Sequence, residues 1–185
     1  YVYQTEKLGF GHAVSLCEEF AGGEPVLLAL GDQLYKSDIN ESCTEQFLRN
    51  FAETNQLSVS VCEIPEGDVS RYGILSGEME KSKDYFYVDK MVEKPDIQLA
   101  TEEYYTKCGD EKKYFAVFGE YILTKEVFDL LRDNIENDRK EGGEFELTGV
   151  LDAVREKSGM VAFVPKGKFF DVGNVKAYKR TFMEK

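Results

Sequence analysis

Asp32 in this chain of 185 residues follows an apolar segment and is a candidate ligand for a divalent cation or a substrate, and Asp171 stands in a similar sequence setting. Asp32 comes after the apolar run of residues 26–30, Asp171 comes after two phenylalanines, and a glycine stands close to each aspartate. Carboxylate oxygens are ligands that Mg²⁺ prefers, and glycine lets a ligand approach the backbone closely. For Asp32 taken alone, a turn or the cap of a following helix is the simpler interpretation.

A glycine-rich segment near the start of the chain is a candidate nucleotide-binding loop. Gly9 and Gly11 precede an apolar stretch that is typical of a helix, and such a loop can present backbone N–H groups to a nucleotide. A tight turn into the helix explains the two glycines without any ligand. His12 is the only histidine in the sequence, and a lone histidine is typical of a structural hydrogen-bonding residue.

Hydrophobic periodicity predicts strands that alternate with helices. Residues 26–30 form a short unbroken apolar run, which predicts a strand buried on both faces. Residues 98–113 are polar and charged, which predicts a connection between elements. The other predicted strands are residues 1–4, 57–64, 85–92, 114–123 and 161–164, and the predicted helices are residues 44–54, 125–134, 147–157 and 175–184. Gly119 interrupts one strand, so a bulge or a close ligand approach is expected there. We predict a single α/β domain over residues 1–185, with a mixed, mostly parallel sheet flanked by helices.

The composition argues against several classes of site. A net charge of −12 disfavours a nucleic-acid groove, which needs clustered lysine and arginine. The four cysteines include no C-x-x-C pair, so with a single histidine they give no support to a zinc site. The sequence has no apolar run long enough to cross a bilayer and no signal-peptide pattern, which indicates a reducing, cytoplasmic setting without a membrane partner.

Several motifs, taken together and in order, resemble those of one family. They are Gln4 with G-F-G-H-A-V at residues 9–14, G-D at 31–32, Y-G at 72–73, V-E-K-P at 92–95, G-x-Y-I-L-T at 119–124, G-G-E-F-E-L-T at 142–148 and D-V-G-N at 171–174. In these segments the sequence is similar to bacterial UTP–glucose-1-phosphate uridylyltransferases, the UDP-glucose pyrophosphorylases, which belong to the sugar-nucleotide pyrophosphorylase family and have a Rossmann-like fold.

The resemblance implies that a longer parent protein transfers a uridylyl group from UTP to glucose 1-phosphate, with Mg²⁺ as cofactor and UDP-glucose and pyrophosphate as products. It implies that Asp32 and Asp171 hold the metal and that Lys94 meets a phosphate, so these three are the expected catalytic residues. The nucleotide-binding residues that it implies are Gln4, Gly9, Gly11 and His12. The sugar-binding residues that it implies are Tyr72, Gly73, Glu93, Gly119 and Glu144.

Some of these residues have structural interpretations as well. Tyr72 can be a core residue, and Glu144 can be an acidic residue that the helix dipole favours at a helix start. Glu93 and Lys94 are neighbours on a predicted strand, so we expect them to point to opposite faces and not to pair with each other.

The chain departs from the family pattern at its start and at two later positions. The family's opening strand and phosphate-binding loop, G-x-G-T-R with a downstream lysine, have no match, so the resemblance covers the C-terminal two thirds of a member. We therefore expect an N-terminally truncated fold that is inactive by itself, in which the strand of residues 26–30 lacks a neighbour. Glu146 stands where the family commonly has glutamine and Gly149 where it commonly has aspartate, which bears on the subunit contact or the sugar pocket.

Two further functions stay open on the sequence. One is a glucose-1-phosphate thymidylyltransferase, although the G-H-A segment that ends at residue 13 favours the uridylyl branch. The other is a non-catalytic module that binds sugar nucleotides. The resemblance also implies a homo-oligomeric parent enzyme, with UTP, glucose 1-phosphate and UDP-glucose as its small-molecule partners.

Overall fold

The chain folds into one large and one small sheet with helices packed around them. The computed structural model describes residues 1–183, without the side chains of Arg180 and Phe182. The helices are α1 Phe10–Ser15, α2 Glu18–Ala21, α3 Cys43–Thr54, α4 Ile97–Glu103, α5 Lys125–Glu136, α6 Leu147–Ser158 and α7 Val175–Met183, with a 3₁₀ helix at Glu66–Arg71. The strands are β1 Val26–Ala29, β2 Gln33–Ser37, β3 Ser58–Ile64, β4 Gly73–Glu78, β5 Tyr85–Glu93, β6 Thr106–Cys108, β7 Glu111–Leu123, β8 Val161–Phe163 and β9 Gly167–Asp171. No helix among these residues is long and apolar enough to cross a membrane.

The large sheet is mixed, with strand order β1-β7-β3-β8-β5-β4-β6. Two pairs of strands in this sheet are parallel, β3 with β8 and β4 with β6. The other ladders of the large sheet are antiparallel. Followed across the sheet, these pairings make β1, β3, β8, β4 and β6 run in one direction, with β5 and β7 opposed. The expected mixed α/β fold with mostly parallel strand directions is confirmed, although the two opposed strands make most neighbouring ladders antiparallel.

Strand β1 lies at the edge of the large sheet. Among the described residues it pairs only with β7, in a register that runs from Val26 opposite Leu123 to Ala29 opposite Glu120. Alternate residues of β1 are exposed, with Leu27 at 37%. The prediction of a strand buried on both faces is therefore wrong, because an apolar run does not reveal how many neighbours a strand has. The open edge agrees with the expectation that this strand lacks a neighbour.

A second, two-stranded sheet joins distant parts of the chain. β2 pairs antiparallel with β9, in a register that runs from Gln33 opposite Asp171 to Ser37 opposite Gly167. A glycine is needed at position 167 because a Cβ there would lie 2.7 Å from the carbonyl oxygen of Lys36. The sequence pattern did not predict β2, so the small sheet is a finding of the structure.

Two local predictions are wrong and one extends past the described residues. Residues 1–4 are exposed coil and not a strand. The polar segment 98–113 contains most of α4, all of β6 and the start of β7. The periodicity of α4 is weak because only Ala100 is buried, and Asp96 begins the helix by accepting a hydrogen bond of 2.7 Å from the N–H of Leu99. The predicted last helix corresponds to α7, and Glu184 lies outside the described residues.

Strand β7 divides the core, because neighbouring side chains along it enter clusters on opposite faces of the sheet. Phe115, Tyr121 and Leu123 belong to the largest cluster, to which α1, α5 and α6 contribute. Ala116 and Phe118 belong to a second cluster with residues of the 3₁₀ helix and α4. The sheet is therefore covered by helices on both faces, as expected.

A buried carboxyl group lies between β7 and α3. Glu120 is 8% exposed and its Oε1 accepts a hydrogen bond from Thr44 Oγ1, whereas Oε2 has no partner among the described residues. Burial raises the pKa of Glu120, and the hydrogen bond from Thr44 opposes this shift only in part. The folded protein therefore favours the neutral carboxyl group more strongly than the unfolded chain does.

Replacing Glu120 with glutamine should stabilise the fold at neutral pH. Because the folded-state pKa is raised, the stability that the neutral carboxyl group contributes is present below the ordinary glutamate pKa and is lost as the pH rises through the raised value. Glu120→Gln stays neutral and should avoid that loss, with a gain on the order of 1 kcal/mol, because the amide oxygen can keep the bond from Thr44 while the NH₂ group stays without a partner, as Oε2 is now. Thermal unfolding between about pH 5 and about pH 8 measures the effect.

The matched control for this substitution is Glu53→Gln on the exposed face of α3. The control should unfold with the same pH profile as the wild type. If the stability of Glu120→Gln changed with pH in the same way as that of the wild type, the buried carboxyl group would not be the source of the pH dependence.

Candidate functional site

The β2–β9 pairing brings the two expected metal ligands together. Asp32 immediately precedes β2, Asp171 ends β9, and the N–H of Val172 donates to the carbonyl oxygen of Asp32 at 2.8 Å. A Cβ on Gly173 would lie 2.7 Å from Asp32 Oδ2 and 3.3 Å from Asp171 Oδ1. Both carboxylates therefore border the same space. Asp171 Oδ1 is oriented by the N–H of Gly173, which donates to it at 2.9 Å.

This carboxylate pair fits a small hard cation. Mg²⁺ is commonly held by one or two carboxylates and completes its coordination with phosphate and water oxygens. Within residues 1–183 no group of three or more histidine, cysteine, aspartate or glutamate side chains could hold a metal, so a cation at Asp32 and Asp171 would need such outside ligands. A side chain at Gly173 would fill the space between the carboxylates, which explains the glycine.

A cavity of about 550 Å³ opens beside Asp171. Its wall includes Arg71 and Tyr72 near the end of the 3₁₀ helix and Lys176 from α7. Arg71 donates to Asp68 at 3.1 Å, and its guanidinium carbon lies 5.4 Å from the centroid of the Tyr72 ring. Burial raises the pKa of Tyr72, and the positive charge of Arg71 opposes that shift. Tyr72 packs against the second core cluster as well, so its core interpretation and its site interpretation are compatible.

Four expected site residues meet where β4 begins and β5 ends. Gly73 is paired with Glu93, and a Cβ on Gly73 would lie 3.0 Å from Glu93 Oε2. The N–H of Lys94 donates to the carbonyl oxygen of Tyr72 at 3.1 Å. The glycine thus leaves space beside a carboxylate, with an ammonium group on the next residue. This arrangement suits a ligand that combines hydroxyl groups with a phosphate.

Glu93 and Lys94 form an ion pair, with 3.4 Å between Glu93 Oε1 and Lys94 Nζ. The expectation that they point to opposite faces is wrong because Lys94 has left the strand. Its φ of 45° places it in the left-handed region, where the alternation of a strand no longer holds. The side chains of Lys94 and Glu93 are 61% and 50% exposed, so the pair adds little stability and both charges remain accessible.

Gly119 lies at the expected bulge, and its φ is 76°. The register of β3 on β7 shifts beside it. Its N–H donates to Gln33 Oε1, and its carbonyl oxygen accepts from the N–H of Leu30 at 2.8 Å. A Cβ would lie 3.1 Å from the Tyr35 ring. Gly119 therefore connects β1, β2 and β7 in a buried position, and its place in a sugar pocket stays a prediction.

Three of the expected nucleotide-binding residues meet where the loop before α1 joins the helix. Gln4 Nε2 lies 3.1 Å from the carbonyl oxygen of Gly9 and 3.0 Å from His12 Nδ1. Gly9 has a φ of 105°, and a Cβ there would lie 2.7 Å from the carbonyl oxygen of Phe145. No side chain fits at position 9, which is why the loop needs glycine.

Gly11 is buried and already hydrogen-bonded within the fold. Its N–H donates to the carbonyl oxygen of Phe145 at 2.8 Å, and the N–H of Phe145 donates to Leu8 at the same distance. These bonds tie the loop to the segment before α6. The N–H of Gly11 is therefore occupied, and a role in nucleotide binding would rest on the shape that Gly11 gives to the loop.

Glu144 belongs to a tight hairpin next to this loop. Its N–H donates to the carbonyl oxygen of Glu141 at 3.0 Å and its carbonyl oxygen accepts from the N–H of Glu141 at 2.8 Å. A Cβ on Gly9 would lie 2.9 Å from Glu144 Cβ, so Glu144 adjoins the nucleotide cluster. The Glu141 carboxylate occupies the space that a side chain at Gly149 would take, and Glu146 precedes α6 without a side-chain cap.

The expected residues thus form two clusters. One contains the two expected metal residues and the expected sugar residues other than Glu144, and the other contains the expected base residues around Gly9 together with Glu144. Sequence reasoning missed Gln33, Arg71 and Lys176 as neighbours of the first cluster. The available signal was their position, because each stands within a few residues of a motif that the sequence had already singled out.

Comparison with known proteins identifies the family of this chain. A family model described as Nucleotidyl transferase matches residues 1–185. The chain is 32% identical over 184 residues to a UTP–glucose-1-phosphate uridylyltransferase of Staphylococcus epidermidis. It is 30% identical over 188 residues to UTP–glucose-1-phosphate uridylyltransferase 2 of Streptococcus pyogenes serotype M3. Each alignment includes the whole of this chain and 58% of the relative. The chain therefore spans little more than half of the length of these relatives.

Solved structures give the same result for the fold. A UDP-glucose pyrophosphorylase complexed with UDP-glucose matches the whole chain with a TM-score of 0.80 and 26% identity, over 66% of its own length. An apo UDP-glucose pyrophosphorylase matches the whole chain with a TM-score of 0.82 and 27% identity, over 63% of its own length. Because the family model matches the chain from end to end, this chain belongs to the nucleotidyl transferase family.

Proposed function

We infer that this chain contributes the metal-binding and sugar-nucleotide-binding residues of a UTP–glucose-1-phosphate uridylyltransferase. Curated relatives of that name align with the whole chain, and one matching structure holds UDP-glucose. Since the chain spans 58% of these relatives, the activity belongs to a longer protein. The observation that carries the inference is the convergence of Asp32 and Asp171 beside Gly173, next to a cavity large enough for a small ligand.

The proposed reaction transfers a nucleotidyl group between two phosphates. A phosphate oxygen of glucose 1-phosphate forms a bond to the α-phosphorus of UTP. The bond from that phosphorus to the oxygen bridging the α- and β-phosphates breaks, and pyrophosphate leaves with the electron pair. Catalysis of such a step consists mainly of positioning and of neutralising phosphate charge.

The residues of the chain divide these tasks. Asp32 and Asp171 would hold Mg²⁺, which when bound neutralises phosphate oxygens. Lys94 provides a second positive charge, and Glu93 accepts hydrogen bonds from sugar hydroxyl groups in the space that Gly73 leaves free. Gln4 lies with Gly9 and with His12 of α1 at the place that would meet the base. The parent protein is proposed to be cytoplasmic and homo-oligomeric. Because this chain is acidic, the parent protein is also proposed to bind no nucleic acid.

Binding of UDP-glucose should depend on Mg²⁺. Titration calorimetry of the chain with UDP-glucose should show tighter binding when Mg²⁺ is present, because a cation held by Asp32 and Asp171 would neutralise charge on the diphosphate. Asp32→Asn and Asp171→Asn should each remove most of that difference, a change of about tenfold or more. Asp110→Asn, in the exposed turn between β6 and β7, is the matched control and should bind as the wild type does.

Equal affinity of the wild type with and without Mg²⁺ would contradict the metal role of the two aspartates. That result, together with retained binding of UDP-glucose, would favour the non-catalytic binding module.

Glu93→Gln should weaken binding of the sugar and spare the base. Removing a charged acceptor costs about 1.5–3 kcal/mol per hydrogen bond, so the affinity for UDP-glucose should fall roughly ten- to a hundredfold. The affinity for UMP, which has no sugar ring beyond the ribose, should stay unchanged. Glu63→Gln is the control, since Glu63 also pairs with a lysine on the surface, at 2.9 Å. An equal loss for both ligands would argue against a sugar contact.

The isolated chain of 185 residues should not form UDP-glucose at the rate of a complete relative. The reason is that the phosphate-binding motif implied by the family resemblance is not in this sequence. A coupled assay for pyrophosphate release, run beside a full-length relative, measures this. Turnover at a comparable rate would show that the chain holds its own means of binding the triphosphate.

Competition between UDP-glucose and dTDP-glucose separates the uridylyl from the thymidylyl alternative. Uracil and thymine share the same imide edge and differ only in a methyl group. The names of the curated relatives support the uridylyl branch. A clear preference for dTDP-glucose would assign the parent protein to the other branch.

A further inference from the structure

Hydrogen bonding to neighbouring groups allows only one of the two orientations of the Gln4 side-chain amide. Its Nε2 lies 3.1 Å from the carbonyl oxygen of Gly9. A backbone carbonyl is always an acceptor, so the NH₂ end of the amide must face Gly9 and the oxygen must face away. Gly9 itself is held in place, because its carbonyl oxygen also accepts from Ala13 at 3.3 Å and its Cα is packed against Phe145.

The orientation of Gln4 determines the tautomer of His12. Gln4 Nε2 lies 3.0 Å from His12 Nδ1, and an amide nitrogen cannot accept a hydrogen bond. Nδ1 must therefore be the acceptor, and the proton of the neutral ring is on Nε2. The ring lies beside Phe145, with 6.4 Å between the centroids, and Ser15 Oγ donates to the backbone carbonyl of His12.

This pair leaves one acceptor and one donor for a ligand. The acceptor is Gln4 Oε1, the donor is the Nε2–H of His12, and no described residue is hydrogen-bonded to either atom. Uracil presents an N3–H donor between two carbonyl acceptors, and this donor complements the free acceptor Gln4 Oε1. Cytosine presents an acceptor at N3 and a donor at its amino group, so its pattern is reversed.

We propose that His12 is a positioning residue that strengthens the base preference of this site, because it is a second acceptor, beside the Gly9 carbonyl, that holds Gln4 with its carbonyl oxygen toward the ligand. The proposal rests on the proposed function, which brings a nucleotide to this loop. Gln4 cannot turn its NH₂ group toward N3 of cytosine without losing the bonds to Gly9 and His12. The expected preference for uracil is about tenfold to a hundredfold, the usual effect of leaving a polar group of a site unpaired.

The hydrogen bond can be tested without a ligand. His12 is the only histidine, so ¹⁵N-histidine labelling of the chain gives ring signals that need no further assignment. We expect a protonated Nε2 and a hydrogen-bonded Nδ1, and Gln4→Ala should move the Nδ1 resonance. The matched control is Gln98→Ala, whose amide bonds to Glu102 on α4. A proton on Nδ1, or an Nδ1 signal that Gln4→Ala does not move, would overturn the proposal.

The base preference can be tested by competition between UDP-glucose and CDP-glucose. His12→Leu removes the acceptor for Gln4 and should lower the preference for UDP-glucose about tenfold. His12→Asn places an oxygen close to the position of Nδ1 and should restore most of the preference. A merely structural role for His12 predicts instead that His12→Leu weakens both ligands equally.

The outcomes of this experiment separate the two levels of inference. Binding of UDP-glucose with an unchanged preference in His12→Leu would overturn the role of His12 and leave the proposed function intact. Failure of the wild-type chain to bind either sugar nucleotide would overturn the proposed function for this chain, and the base preference with it.

Discussion

The antiparallel pairing of β2 with β9 is the interaction on which the candidate site depends. Asp32 and Asp171 are far apart in the sequence, and neither is held by a helix or by a buried strand. The ladder sets Gln33 opposite Asp171, and the N–H of Val172 bonds to Asp32 directly. Backbone hydrogen bonds therefore fix the relative position of the two carboxylates, and the missing side chain of Gly173 keeps the space between them open.

The small sheet is attached to the large one beside the irregular part of β7, through contacts with β7 and β3. The bulge at Gly119 receives the side chain of Gln33, and Tyr35 donates to the carbonyl oxygen of Phe118 at 2.7 Å while its hydroxyl group lies 2.6 Å from Ser60 Oγ. Burial raises the pKa of Tyr35, which keeps this hydroxyl group a neutral donor. The attachment thus uses hydrogen bonds between uncharged groups.

Sequence reasoning succeeded where a property is local. The amphipathic helices α3, α5 and α6 were predicted from periodicity, and the bulge at Gly119 was predicted from a glycine inside a strand. It failed where tertiary contacts decide. The apolar run of β1 does not show that the strand has one neighbour, and the positive φ of Lys94, which brings its side chain to Glu93, has no signal in a strand pattern. The resemblance supplied the site residues, but the proximity of Gln4, Gly9 and His12 had to come from the structure.

The exposure of the small sheet has a consequence for the order in which the chain folds. Leu34 in β2 is 47% exposed and Phe169 in β9 is 41% exposed, so this ladder buries little apolar surface. Pairing segments so distant in the chain carries a high loop-closure cost, and such contacts form after local ones. Because it buries little apolar surface, we expect the ladder to open before the core does. A ligand that bound Asp32 and Asp171 together would favour the paired state of β2 and β9 and so oppose this opening.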